Sequence, residues 1–187
     1  MTALFVKNMV CDRCIMVISN ELSKLGIEIE HIKLGEVTLT NHPSAEDRAI
    51  INERLALLGF EIIDDKKGRI IEKIKNIIIN QVHHQPEEQK TILSELLSNT
   101  LHHDYNYLSN LFSENEGTTI EKFYITQRIE KVKELLAYDE MSLSEIALQL
   151  NYSSVAYLSN QFKKITGFTP SGFKRSNKGE RKPLDKL

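Results

Sequence analysis

Residues 141–174 read MSLSEIALQLNYSSVAYLSNQFKKITGFTPSGFK, and the spacing of their capping and apolar residues predicts a helix-turn-helix. Ser142 and Glu145 form a capping box, which satisfies backbone donors at a helix start. Asn151 follows this helix, and asparagine tolerates the left-handed backbone conformation of a sharp turn. One face of the helix is apolar, because four residues recur at helical spacing: Leu143, Ile146, Ala147 and Leu150.

The second helix of this stretch has two chemically different faces. Ser153 or Ser154 can cap its start. Its apolar positions are expected to face the core: Leu158, Phe162 and Ile165. The opposite face is polar, aromatic and cationic: Ala156, Tyr157, Asn160, Lys163 and Lys164. Such a face suits a helix that lies in the major groove of duplex DNA.

The pattern occurs twice in the chain. The sequence YLSNLF of residues 107–112 returns as YLSNQF at residues 157–162, an offset of 50 residues. The same offset relates two further pairs of residues: Gly117 with Gly167, and Phe123 with Phe173. Self-similarity at a fixed offset indicates a repeated supersecondary unit. The chain is therefore predicted to contain two helix-turn-helix units in tandem.

Two such units joined by one helix resemble the DNA-binding domain of the AraC/XylS family of bacterial transcription regulators. The resemblance covers about residues 90–176, and these segments carry it: the YLSNxFxxxxG repeats, RIEKVKELL at 128–136, EIA at 145–147 and GFTP at 167–170. It implies a sequence-specific regulator whose partner is double-stranded DNA. We see no glycine-rich phosphate loop, nucleophile–base set or paired-carboxylate site, so an enzyme is not expected.

The resemblance also implies which side chains face the bases. The base-facing positions of the first reading helix are Asn106, Ser109 and Asn110. Those of the second are Val155, Ala156, Tyr157 and Asn160, and Lys163 and Lys164 follow on the same helix. Asparagine suits bidentate contact with adenine, and valine or alanine suits the thymine methyl group. The other reading of Tyr157 and Asn160 is a solvated helix face.

The first 65 residues predict a small α+β domain. A strand at 2–6, a helix at 15–25, a hairpin at 27–39, a second helix from Pro43 and a last strand after Gly59 follow one another. The apolar residues of the second helix are expected to be buried: Ile50, Ile51, Leu55 and Leu58. The order β-α-β-β-α-β predicts the ferredoxin-like arrangement.

A metal-ligand motif lies between the first strand and the first helix of this domain. Met9, Cys11 and Cys14 form MxCxxC, and residues 58–61 read LGFE before the last strand. Residues 3–65 are thereby similar to heavy-metal-associated domains, the small copper-chaperone fold. The resemblance implies that Cys11 and Cys14 bind a soft ion such as Cu(I), while Met9 packs beneath the loop. Thiols near a helix start are expected to have lowered pKa values, and soft sulfur selects Cu(I).

Other functions for the two cysteines remain open. They could form a disulfide across the motif and act as a redox switch, or they could be residual thiols in a structural module. A further alternative is a metal-trafficking protein whose helical half binds a protein partner. It remains open because residues 90–187 hold 13 basic and 12 acidic residues, a weak positive charge for a phosphate-binding domain.

Residues 66–89 predict a connecting helix and a linker. The helix has one apolar stripe: Ile71, Ile74, Ile78 and Val82. This stripe could pack on either domain. It could instead pack on a second copy of the helix, in which case the protein would be a homodimer. The sequence QPEE at 85–88 marks the predicted domain boundary, and residues 177–187 form a basic tail that is expected to be disordered. The paired histidines at 83–84 and 102–103 are expected at the surface or in turns.

Composition limits the remaining classes of protein. The chain has 187 residues, a formal net charge of −2 and 41% hydrophobic residues, which fits one large or two small globular domains. No apolar run reaches the ~18 residues that a membrane span needs, and residues 1–10 lack the apolar core of a secretory signal. We therefore expect a cytoplasmic protein without a membrane partner.

Overall fold

The computed structural model describes residues 2–84, 92–176 and 184. The chain divides into two compact units, Met1–Ile77 (the N-terminal unit) and Ile78–Leu187 (the C-terminal unit). The boundary predicted at 85–88 lies outside the described residues, as does the predicted tail at 177–187 apart from Leu184. Among the described residues, no helix combines the length and the apolar character that crossing a membrane requires.

The N-terminal unit contains a small antiparallel sheet. Its strands are β1 (Thr2–Lys7), β2 (Ile29–Lys33), β3 (Glu36–Leu39) and β4 (Glu61–Ile63). They are ordered β2-β3-β1-β4, and every neighbouring pair is antiparallel. Helix α1 (Asp12–Lys24) connects β1 to β2, and helix α2 (Ala45–Leu57) connects β3 to β4. A capping box between Ser44 and Asp47 starts α2.

One face of the sheet packs on α1 and α2. Alternate strand residues point to this face, and two positions of each helix meet them there. The core residues are Leu4, Val6, Ile18, Leu22, Val37, Leu39, Ile51 and Leu55. Two predictions were wrong, because Ile50 is 46% exposed and Leu58 is also exposed. Ile50 lies beside the stripe that Ile51 and Leu55 define, and Leu58 is the C-cap residue, where the helix has ended.

The connecting helix α3 spans Lys66–Ile79 and continues as a π-helical turn, Asn80–His84. The predicted stripe is buried: Ile71, Ile74, Ile78 and Val82. In the N-terminal unit, the Arg69 guanidinium carbon lies 4.4 Å from the centre of the Phe5 ring, and Lys73 Nζ lies 5.7 Å from it. Phe5 alternates with Leu4 and Val6 along β1, so α3 covers the opposite face of the sheet.

The described part of the C-terminal unit is helical. Its α-helices are α4 (Leu93–Leu101), α5 (Tyr105–Glu116), α6 (Ile120–Tyr138), α7 (Leu143–Gln149), α8 (Val155–Thr166) and α9 (Pro170–Ser176). The predicted capping box of Ser142 and Glu145 is present, and Ser154 rather than Ser153 caps α8 by accepting from the N–H of Tyr157. Asn151 adopts the predicted left-handed conformation, with φ 52°.

The second helix-turn-helix (α7 and α8) packs on the linking helix α6. Their shared core is formed by Ile129, Val132, Leu136, Ile146, Ala147, Leu150, Tyr152, Leu158 and Phe162. The prediction for Ile165 was wrong, since its side chain is 41% exposed. Ile165 lies in the last turn of α8, two residues before Gly167 ends the helix, and this end position leaves it outside the buried stripe.

Candidate nucleic-acid interface and dithiol site

Helix α8 presents the predicted reading face to solvent. The exposed side chains along it are Val155, Ala156, Tyr157, Asn160, Lys163 and Lys164. Leu158 and Phe162, one turn apart on the other side of the helix, are fully buried and hold α8 in place. Because the buried residues fix the rotation of the helix, the polar side chains lie together on one surface.

The buried Arg128 is linked to the exposed face of α8 through Tyr152. The sequence analysis did not assign this arginine a role. Arg128 of α6 donates a hydrogen bond to the carbonyl of Leu150, and its guanidinium carbon lies 3.8 Å from the centre of the Tyr152 ring. The Tyr152 ring in turn lies 6.0 Å from the ring of Tyr157 on the reading face. Burial raises the pKa of Tyr152 to about 12, so this phenol stays protonated at neutral pH.

The predicted reading helix of the first unit, α5, has an exposed face but carries no lysine or arginine. Asn106 and Asn110 are exposed, and Ser109 is half-buried. Tyr107, also exposed, packs against the ring of His103 at 5.1 Å between centroids. The side chain of Asp104 caps α5 by accepting from the N–H of Asn106. The predicted base-facing residues therefore lie on the accessible surface of α5.

The two helix-turn-helix units differ sharply in charge. Residues 92–119 contain no lysine or arginine, and their acidic residues are Glu95, Asp104, Glu114 and Glu116. Residues 142–176 contain one acidic residue, Glu145, against four basic ones: Lys163, Lys164, Lys174 and Arg175. Since phosphate contacts supply most non-specific affinity for duplex, the second unit is the better electrostatic partner of DNA.

Two lysines of the linking helix form ion pairs within the protein. Lys133 Nζ lies 2.5 Å from a carboxylate oxygen of Glu130, and both residues are buried. Lys131 Nζ lies 2.8 Å from a carboxylate oxygen of Glu134. Because these ion pairs neutralise their charges, Lys131 and Lys133 add little positive potential to the interface.

The two thiols lie side by side at the start of α1. The sulfur atoms of Cys11 and Cys14 are 3.7 Å apart, and both residues are half-buried. Since metal–thiolate bonds are about 2.3 Å long, both sulfurs can reach one ion. Met9 is fully buried, as predicted. Among the described residues there is no group of three or more metal-ligating side chains, so the pair offers two sulfur ligands, which suits a soft ion.

The pKa expectation for Cys14 was wrong. Burial raises the pKa of its thiol, and the backbone hydrogen bonds at the helix start only partly oppose this shift. Removal from water destabilises the thiolate more than the nearby N–H groups stabilise it. A metal ion at this site would therefore have to displace a proton that Cys14 holds firmly.

The surface position predicted for His83 was also wrong. His83 is half-buried in the C-terminal unit, and its Nε2 is hydrogen-bonded to Oε1 of Gln127 on α6 at 3.0 Å. Burial lowers its pKa to about 4, so the imidazole is neutral at physiological pH. The other three histidines of the two pairs are exposed, and His102 adopts the left-handed conformation at the end of α4.

Comparisons with known proteins find similarities in the C-terminal unit. Residues 97–176 match the family model described as a helix-turn-helix domain. The chain is 29% identical over 118 residues to the uncharacterized HTH-type transcriptional regulator YtdP of Bacillus subtilis (strain 168), a match that covers 62% of this chain and 15% of YtdP. It is 32% identical over 111 residues to an uncharacterized HTH-type transcriptional regulator of Staphylococcus aureus, with 59% and 14% covered.

A solved structure resembles the same part of the chain. The C-terminal domain of AraT, a response regulator from Geobacillus stearothermophilus, superposes with a TM-score of 0.51 and 26% identity, over 60% of this chain and 88% of that chain. The chain spans 14–15% of the length of the two curated relatives. The matched range contains the helices of both predicted units from Leu97 onward, together with the linking helix α6.

Proposed function

We propose that this chain is a sequence-specific DNA-binding transcription regulator of the AraC type acting in the cytoplasm, because residues 97–176 match the model of a helix-turn-helix domain. The domain and the relatives point to a DNA-binding regulator and not to an enzyme. The observation that carries the proposal is the exposed face of α8, where Asn160 and two lysines lie opposite the buried Leu158 and Phe162.

The chemistry of the face divides into base reading and phosphate binding. Asn160 can donate to and accept from an adenine edge, and Val155 and Ala156 can contact a thymine methyl group. Lys163 and Lys164, near the end of α8, carry the charge that attracts phosphate. Helix α5 would enter a second major groove about 34 Å away, with neutral side chains only. We expect α8 to supply most of the affinity.

A pair of substitutions on α8 tests this division. On a duplex selected from a random pool, Asn160→Ala should weaken binding about 5–150-fold, equivalent to 1–3 kcal/mol, and should scarcely change binding to random duplex. Lys163→Ala should weaken both duplexes alike and reduce the slope of log affinity against log salt by about 1. Fluorescence anisotropy at several salt concentrations measures both effects.

Asn110→Ala on α5 is the matched control, since Asn110 and Asn160 occupy equivalent positions of the repeat. We expect a smaller loss from Asn110→Ala than from Asn160→Ala. Equal losses from Asn160→Ala on selected and random duplex would show that Asn160 only positions the helix. No salt-dependent binding to any duplex would refute the proposal and would favour a protein partner for the helical half.

We further propose that the N-terminal unit is a ferredoxin-like domain of the heavy-metal-associated type whose Cys11 and Cys14 receive a soft ion such as Cu(I). The support is the pair of half-buried cysteines whose sulfurs lie 3.7 Å apart, together with the buried Met9 of the same motif. A bound ion would supply a positive charge between the two sulfurs. The thiols lose their protons on binding, so affinity should fall as pH falls.

Anaerobic titration with Cu(I) against a competing chelator tests the dithiol site. The wild-type chain should bind one equivalent, and Cys11→Ser should lose it, because a single sulfur cannot hold the ion in two-fold coordination. Met9→Leu is the control and should retain the equivalent, since the Met9 side chain packs inward. If the wild-type chain binds no Cu(I) but forms an intramolecular disulfide on mild oxidation, the cysteines act as a redox switch instead.

A further inference from the structure

Asn8 connects three parts of the N-terminal unit. It lies just before the MxCxxC loop and has a left-handed backbone, with φ 71°. Its side-chain Nδ2 donates to the carbonyl of Gly59 at 2.9 Å, and its carbonyl accepts a weak hydrogen bond from Cys14 Sγ at 3.9 Å. Its backbone N–H donates to Oε1 of Glu72 at 2.9 Å. A displacement of the cysteine loop therefore reaches Glu72 through a single residue.

Glu72 belongs to the connecting helix α3, 64 residues away in sequence. Only 6% of its surface is exposed. A buried carboxylate is costly unless it is hydrogen-bonded, and the N–H of Asn8 is one group that satisfies it. Asn76, one turn further along α3, approaches Gly35, where a Cβ atom would come within 2.5 Å of its Nδ2. The helix thus lies tightly against this part of the unit.

The same helix continues into the C-terminal unit. Ile78, Ile79 and Val82 are buried there, and His83 of the π-helical turn is hydrogen-bonded to Gln127 of α6. Helix α6 is the one that joins the two helix-turn-helix units.

We propose that Glu72 is the positioning residue through which occupancy of Cys11 and Cys14 acts on α3; this inference rests on the proposed metal-binding function. A Cys14 sulfur bound to an ion carries no proton to donate, so its contact with the Asn8 carbonyl is lost. Asn8 then keeps its hydrogen bonds to Gly59 and Glu72 but is no longer held by Cys14, so its backbone can shift. The Asn8 N–H that donates to Glu72 shifts with the backbone, and α3 responds.

Hydrogen exchange of the full chain tests the coupling without reference to DNA. In the wild-type protein, one equivalent of Cu(I) should change amide exchange across α3 about tenfold, within the usual range of coupling between two sites. Glu72→Met removes the acceptor but keeps the length of the side chain. It should bind one Cu(I) as before and lose the change in α3. Glu72→Gln keeps an acceptor oxygen and should retain most of the response.

The control is Glu61→Gln, which removes the same charge from an exposed residue paired with Lys7. It should respond as the wild-type protein does. If Glu72→Met does not fold, the proposal is tested by hydrogen exchange at the Asn8 amide of the wild-type protein. This amide can be followed by NMR because Cu(I) is diamagnetic. That amide should lose protection when Cu(I) binds, and unchanged protection would overturn the proposal.

The outcomes separate this inference from the function on which it rests. A Glu72→Met variant whose α3 responds to Cu(I) like the wild-type protein would overturn the role of Glu72 and leave the metal site intact. Copper binding with no change in α3 of the wild-type protein would do the same. Absence of Cu(I) binding in the competition titration would remove the metal input itself, and the coupling with it.

Discussion

Replacing Phe162 with alanine should destabilise the C-terminal unit by about 3–5 kcal/mol. Phe162 is fully buried, and its ring packs edge-on against Phe173 with 5.4 Å between the ring centres. It lies in the core that joins α6, α7 and α8, so truncation leaves a cavity that three helices would have to close. Urea unfolding followed by circular dichroism measures the loss.

The matched control is Phe168→Ala. This substitution removes a side chain of the same size, but Phe168 is 54% exposed. The free energy of unfolding should therefore change by no more than about 0.5 kcal/mol. DNA affinity should fall with Phe162→Ala under conditions where the unit is partly unfolded, because the reading face is carried on the same helix. A cost below about 1 kcal/mol for Phe162→Ala would contradict the assigned core.

Arg128→Met should cost about 2–4 kcal/mol of stability. The arginine is buried, donates to the carbonyl of Leu150 at the end of α7, and stacks on the Tyr152 ring. A hydrogen bond from a charged group contributes about 1.5–3 kcal/mol, and a desolvated cation–π contact contributes up to about 2 kcal/mol. Methionine fills part of the space but leaves the Leu150 carbonyl without this donor. Thermal denaturation measures the change.

Arg128→Met is also expected to weaken DNA binding by the predicted reading face of α8. Tyr152 connects Arg128 to Tyr157, so affinity for the selected duplex should also fall at temperatures where the variant remains folded. Arg128→Lys should recover little, because an ammonium group cannot both stack and donate in the fixed geometry of guanidinium. Lys122→Met, at an exposed position of the same helix, removes the same charge and should leave stability within about 0.5 kcal/mol.

Local sequence was informative wherever the interaction spans only a few residues. The capping box of Ser142 and Glu145, the cap at Asp104 and the left-handed turn at Asn151 could all be predicted, since each depends on neighbours within four residues. The buried stripe of α3 followed from periodicity in the same way. Periodicity failed at Ile50, Leu58 and Ile165, which lie beside the buried stripe or at the end of a helix.

In the candidate sites, too, local features could be predicted and features that depend on burial could not. Periodicity placed the polar face of α8, because buried Leu158 and Phe162 fix which side of the helix is exposed. It did not predict that burial would raise the pKa of Cys14, nor that His83 would be half-buried and neutral. Desolvation depends on which distant side chains cover a group, and spacing along the chain contains no such information.

By itself, the sequence determined the repeat, the helix caps, the exposed polar face of α8 and the MxCxxC motif. These features rest on hydrogen bonds and spacings within one or two helical turns. Tertiary structure alone decided that Arg128 donates to the carbonyl of Leu150, 22 residues away. It also decided that His83 meets Gln127 across 44 residues and that Asn8 meets Glu72 across 64. Such pairs form only when packing brings distant segments together and excludes water from buried polar groups, which must then find partners within the fold.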